Sequence, residues 1–169
     1  RKGKQSSASA KTKCGDVFQF SVAKSDWGFG QVIIADALLY VVIFRGIYDA
    51  VPSLQDLVRD EILLVGWTTD AWLYHGRWTI IGNVEPPIAR VPFPSYKVLI
   101  NGEIVVRDFH DQRRRLAQSS EIAFLENKKS VTPSVLNRAF RAIHGMEPWL
   151  TTYEHLKIDN ARRRVIAVT

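Results

Sequence analysis

The stretch that most limits what this chain can fold into is residues 75–97, HGRWTIIGNVEPPIARVPFPSYK. Its Pro86, Pro87, Pro92 and Pro94 fall within nine residues. Each proline fixes φ and removes a backbone donor, so neither a helix nor a central strand runs through them. Just upstream, residues 78–81 are a short apolar run closed by Gly82-Asn83. A run that short between turn formers reads as a buried strand. The segment therefore predicts one core strand leaving into an extended strap across the domain. Phe93 and Tyr96 are the expected anchors of the strap, because aromatics bury most area per residue.

The chain before this stretch reads as a succession of strands. Residues 17–22 alternate, with Phe18, Phe20 and Val22 on one face. After a polar turn at 24–26, Trp27-Gly28-Phe29-Gly30 leads into a run ending at Ala35. Glycines inside a strand pattern predict a bulge or a close approach to the backbone. Residues 38–44 are continuously apolar and predict a third, fully buried strand. Ser53 with Asp56 three residues on has capping-box spacing, so a short helix opens there with Leu54, Leu57 and Val58 inward. Residues 62–67 predict a fourth strand and 78–81 the fifth, with a helical turn at 70–75 between them, ended by Gly76.

Past the prolines, Asn101-Gly102 between residues 96–100 and 103–107 is a hairpin signal, since both turn positions accept positive φ. From residue 108 the pattern changes. Arg113-Arg114-Arg115 is a charge run, and residues 119–128 predict a short helix. Thr132-Pro133 opens a clearer one, with Val135, Leu136, Ala139, Phe140 and Ile143 at helical spacing and Gly145 as its stop. A last short helix from Pro148 carries Trp149, Tyr153 and Leu156, and residues 165–168 read as an edge strand. The fold class is α+β: a strongly twisted antiparallel sheet or half-open small barrel, with one short inserted helix and a helical C-terminal extension. The expected units are a basic flexible tail at 1–13, a β-rich unit at 14–107 and a helical extension at 108–169 packed on it.

Charge narrows the function classes. Of the 23 Lys and Arg residues, five lie in residues 1–13 without an acid among them, leaving 18 against 17 acidic side chains. The folded part is thus near neutral, which weakens a nucleic-acid reading that needs a basic face on the fold. Most of the 18 aromatics fall on strand faces or beside glycine, where core packing accounts for them. The arginine runs read as solvated faces or as ion-pair partners of Asp108, Asp111 and Glu121. A single cysteine, Cys14, excludes an internal disulfide and any multi-cysteine zinc site. No apolar stretch reaches the roughly 18 residues that cross a bilayer.

Catalytic marks are sparse. No nucleophile elbow, phosphate loop or HExxH motif is present. His75, His110, His144 and His155 are scattered without ligand spacing. The expectation is a non-enzymatic protein with no catalytic residue, cofactor or metal. Contact surfaces are then sought on loops, which display side chains from a rigid scaffold. The turn carrying Asp26 and Trp27, and the turn carrying Asp70, Trp72, Tyr74 and Arg77, combine aromatics with both signs of charge.

GDVFQF, WGFGQVI, PSL and GRWTIIGNV followed by P-x-F-P-S-Y-K, in that order, resemble the immunity protein 26 family of bacterial polymorphic-toxin systems over residues 14–107. The resemblance implies a cytoplasmic protein that binds a cognate toxin effector domain and neutralises it by stoichiometric occlusion. It assigns no surface to that contact and leaves the oligomeric state open. The alternative class is a small-barrel module that binds nucleic acid or a regulatory partner.

Overall fold

The computed structural model describes residues 11–169. The basic tail expected at 1–13 therefore lies, for all but its last three residues, outside the described residues. The first four strands, β1 (Asp16–Ala23), β2 (Asp26–Ala35), β3 (Leu39–Phe44) and β4 (Ile62–Thr68), form an antiparallel run in chain order. On one side β5 (Thr79–Asn83) pairs with β1, and on the other β9 (Ser130–Val131) pairs in parallel with β4, giving a six-stranded mixed sheet.

Both faces of this sheet are covered, which explains the unbroken apolar run of β3. Leu39, Val41 and Ile43 point into one cluster with Phe18, Phe20, Trp78, Leu136, Phe140 and Leu156. Tyr40, Val42 and Phe44 point into a second with Val17, Phe29, Leu57, Val91 and Ile158. Alternation persists, but with no solvated side it cannot appear as alternating polarity.

The glycines of β2 answer to β1. Phe18 stands opposite Gly30 and Phe20 opposite Gly28. A Cβ on Gly30 would lie 2.3 Å from Phe18 Cζ, and one on Gly28 would lie 2.4 Å from Phe20 Cζ. The two rings thus lie against bare backbone, the close approach that the sequence pattern predicts.

Helix α1 (Leu54–Leu57) starts at Ser53, whose Oγ accepts from the Asp56 amide at 3.2 Å. Helix α2 (Ala71–Tyr74) is a single turn between β4 and β5, reversed by Gly76 at φ +72°. The strand that follows corrects the expectation of a core strand: β5 is an edge, and Ile80 is 40% exposed. Only Trp78, which precedes the strand, is fully buried. It stacks on Phe18 with ring centroids 4.1 Å apart and donates its indole N–H to Asn137 Oδ1 at 3.2 Å.

The proline strap crosses the second face. Tyr40 donates its hydroxyl to the Pro92 carbonyl at 2.6 Å. Phe93 is half-buried against Tyr40 and Phe109, while Val91 is the more deeply inserted residue. Tyr96 opens β6 (Tyr96–Ile100), which pairs with β7 (Glu103–Arg107) across the expected turn, Asn101 at φ +50° and Gly102 at φ +78°. This hairpin does not continue the large sheet. With β8 (Arg114–Leu116) it forms a separate three-stranded sheet, and the large sheet stays open rather than closing into a barrel. The strap is the reason: four prolines cannot donate to a ladder, so pairing is not carried across them.

The small sheet holds little apolar matter, a cluster of Val106, Leu125 and Val168. Polar ties do more. Arg115 grips Glu121 through two bonds of 2.7 and 2.6 Å, and Glu121 also accepts from the Gln118 amide at 2.8 Å, capping α3 (Ser119–Phe124). These bonds hold the Glu121 carboxyl down at about 2, the guanidinium contributing first. The arginine run is thus partly a strand with an ion-pair partner. Helix α3 also stops sooner than expected, because Leu125 turns extended at ψ 144°.

Helix α4 (Pro133–Ile143) lays Leu136, Ala139 and Phe140 on the first face of the large sheet, and Gly145 ends it at φ +75°. Phe140 meets Phe20 edge-on at 5.2 Å. A 3-10 turn at Thr151–Leu156 adds Tyr153 and Leu156 to the same cluster. At the C-terminus one helix is unexpected and one expectation is corrected. Residues 158–163 form a helix, α5 (Ile158–Arg163), with Ile158 and Ala161 buried and its arginines outward. Residues 165–168 form no strand; Val168 instead inserts beneath the small sheet. No helix among the described residues is long and apolar enough to cross a membrane.

Candidate functional site

Helix α2 shapes one end of the large sheet. The amides of Arg77 and Trp78 both bond to the Trp72 carbonyl, at 2.8 and 2.9 Å, which locks the turn before β5. Trp72 itself lies edge-on to the buried Trp78, ring centroids 6.2 Å apart. The Arg77 guanidinium sits 5.4 Å above the Trp72 ring. A half-buried indole with a cation over its face is a stiff anchor, because packing rather than solvent fixes its rotamer.

Trp27 reaches the same neighbourhood from the β1–β2 hairpin. Its amide and carbonyl exchange bonds with Tyr48 at 2.7 and 2.9 Å. Tyr48 is braced in turn by its hydroxyl bond to Asp60 at 3.0 Å; burial, with the Asp60 carboxylate next, pushes that phenol up to about 12.

Between these anchors lies an open depression of about 690 Å³, lined by Trp27, Trp72 and Arg77 together with Arg138 and Arg141 of α4. Glu147 is the acid on its rim, and it is paired with Arg138 at 3.2 Å. The hollow is therefore basic and aromatic. The structure brings together three of the six candidate residues, Trp27, Trp72 and Arg77. Asp70 and Tyr74 line a different depression of about 500 Å³ on the far side of α2, with Asp36 and Ile80. Asp26 lines neither.

The sequence pattern did not single out Arg138, Arg141 or Asn137. The two arginines lie on the polar side of α4, and which sheet end that side meets is set by tertiary packing. Asn137 carried a signal, a polar residue directly after Leu136 in the apolar stripe, and it proves to be the buried acceptor for Trp78. Among the described residues no three His, Cys, Asp or Glu side chains cluster as a metal site.

An open sheet covered on both faces, with braced aromatic and arginine side chains at one end, defines a small α+β domain. Residues 13–101, more than half of the chain, match the family described as Immunity protein 26, and the chain belongs to that family. No curated protein and no solved structure matches it. Trp27, Trp72 and Arg77 fall inside the matched residues, whereas Arg138 and Arg141 fall outside them.

Proposed function

We propose that this chain is an immunity protein that binds one cognate toxin effector domain in the cytoplasm and neutralises it by stoichiometric occlusion. The Trp27–Trp72–Arg77 depression is the contact surface in this reading. Residues 14–107 supply its aromatic anchors, and the packed extension 108–169 adds Arg138 and Arg141. The observation that carries the surface is the rigid placement of Trp72, wedged against Trp78 with Arg77 over it. Binding energy concentrates on such preorganised Trp and Arg side chains. Three arginines against one already paired glutamate also call for an acidic surface on the toxin, with association slowed by salt.

Growth rescue tests the reading. Cells expressing the toxin domain encoded beside this chain should survive only when the chain is co-expressed, and the two should form a one-to-one complex. Arg77→Ala should weaken that complex about tenfold or more, with the melting temperature unchanged. Unaltered affinity in both Arg77→Ala and Trp72→Ala would move the contact elsewhere. Failure of rescue by the wild-type chain would remove the immunity reading itself. Salt-sensitive binding to random oligonucleotides would favour a nucleic-acid module in its place.

A further inference from the structure

On the second face of the sheet, where α5 meets the end of β4 and the strap, a narrow slot of about 60 Å³ opens into a depression of about 470 Å³. The two share Glu126, His155 and Arg164. The slot's wall is aromatic. Trp67 stacks on Phe109 at 5.3 Å and 12°, and Tyr40 packs on Phe109 at 4.8 Å. Its mouth holds two lysines, each near an acid: Lys128 lies 3.9 Å from Asp111 and Lys129 lies 3.4 Å from Glu126. Lys128 Nζ stands 4.8 Å over Trp67 and 5.8 Å from the Tyr96 ring, with Lys129 alongside.

Arg164 is the unusual member. Its backbone is fixed on both sides: its amide bonds to Ala161 at 3.1 Å, and its carbonyl accepts from Ser95 at 2.9 Å. The guanidinium is partly buried, and burial pushes its pKa down. It makes one hydrogen bond, to the His155 carbonyl at 2.9 Å. Among the described residues it takes part in no ion pair. The nearby acids make their bonds to other groups, although the Glu126 charge still reaches Arg164 and opposes the effect of burial. Glu126 pairs with Lys129 at 3.4 Å, and Glu154 is held by Trp149, Lys157 and Asn160. A partly buried guanidinium that spends one of its five N–H donors on protein therefore lines the slot with donors to spare.

The slot is narrow, about 60 Å³, and fixed N–H donors of this kind suit a small oxyanion such as a carboxylate or a phosphate. We propose that the slot is an oxyanion site, taking a carboxylate or phosphate on Arg164, with Lys128 closing over it and the Trp67–Phe109 stack as its wall. This site is independent of the toxin contact, which lies at the α2 end of the sheet.

His155 reports on the slot directly. Burial pushes its imidazole down, and the charges of Lys129 and Arg164 push it further, opposed by its 2.9 Å bond to the Thr152 carbonyl and by Glu126. Lys128, Arg163 and Glu154 line the same combined hollow. An anion bound among them should raise the His155 pKa by about one pH unit.

The experiment is an NMR titration of the His155 ring in the full chain with sodium phosphate and with sodium acetate, each matched to sodium chloride at equal ionic strength. A saturable rise of the His155 pKa, with movement of the Trp67 indole signal, is the expected result. Arg164→Gln should abolish both changes, and Lys128→Gln, at the exposed rim, should weaken them several-fold. Response to acetate alone assigns a carboxylate source, and response to phosphate alone assigns a phosphate source. The same shifts in chloride, no saturable shift with either anion, or full response in Lys128→Gln overturns the proposal, whether or not Arg164→Gln folds.

Discussion

The two sheets of this molecule are held together by different forces. The six-stranded sheet has apolar clusters on both faces and aromatic rings laid over glycine backbone. The three-stranded sheet has three buried apolar residues beneath it and depends on charge-assisted bonds: Arg115 to Glu121, and Lys97 Nζ to the Ile122 carbonyl at 2.7 Å. Apolar contacts carry no charge to titrate or to screen, whereas ion pairs answer to both pH and ionic strength. The difference teaches that one chain can carry a hard core and a conditionally stable flank, and that substitutions should sort accordingly.

Trp78→Ala should have the largest effect. It removes a fully buried indole, its stack on Phe18 and the acceptor use of Asn137, for a cost of about 3–5 kcal/mol in chemical denaturation. A smaller loss would mean that α4 collapses into the vacancy and that the large sheet is softer than argued. Gly30→Ala comes next, at about 1–3 kcal/mol, because its Cβ meets both Phe18 and the Val42 carbonyl, 2.7 Å away.

Glu121→Gln should act on the small sheet alone. Hydrogen exchange should quicken in β7, β8 and α3 while the large sheet stays protected. Acid should do the same to the wild-type chain. The folded carboxyl titrates at about 2 against an ordinary 4.5, so its contribution is fully present above 4.5 and is lost as pH falls from there toward 2. Simultaneous loss of both sheets over that window would erase the contrast. Arg77→Ala should change stability least, within about 0.5 kcal/mol, because its side chain is exposed over Trp72. A larger loss would make Arg77 a brace of α2 rather than a contact.

How much of this was legible depended on how local each cause is. Strands β1 to β4, the Asn101-Gly102 hairpin and helix α4 rest on alternation, short apolar runs, turn chemistry and caps that lie within a few residues. The edge position of β5 does not, since it follows from pairing with β1, some sixty residues earlier in the chain. Helix α5 was hidden by Arg162, Arg163 and Arg164, which read as a charge run although Ile158 and Ala161 keep helical spacing. Strand β8 was hidden for a similar reason, because Arg115 turns toward a carboxylate rather than toward apolar matter. At the candidate site Trp27, Trp72 and Arg77 stood out from their turns, but no local pattern places α4's arginines beside them.

The interlock of β1 and β2 also bears on how such a chain can change over time. Phe18 and Phe20 each occupy the space that a side chain on the facing residue would fill. Slipping either strand by one position would set a bulky residue opposite each ring. The loop at Lys24-Ser25 is therefore free to vary in composition, and β1 and β2 absorb bulges at Ser21–Ala23 and Val32–Ile34, but a lone insertion or deletion between Phe18 and Phe20 or between Gly28 and Gly30 would break the interlock. Compensated, two-step length changes are the path left open.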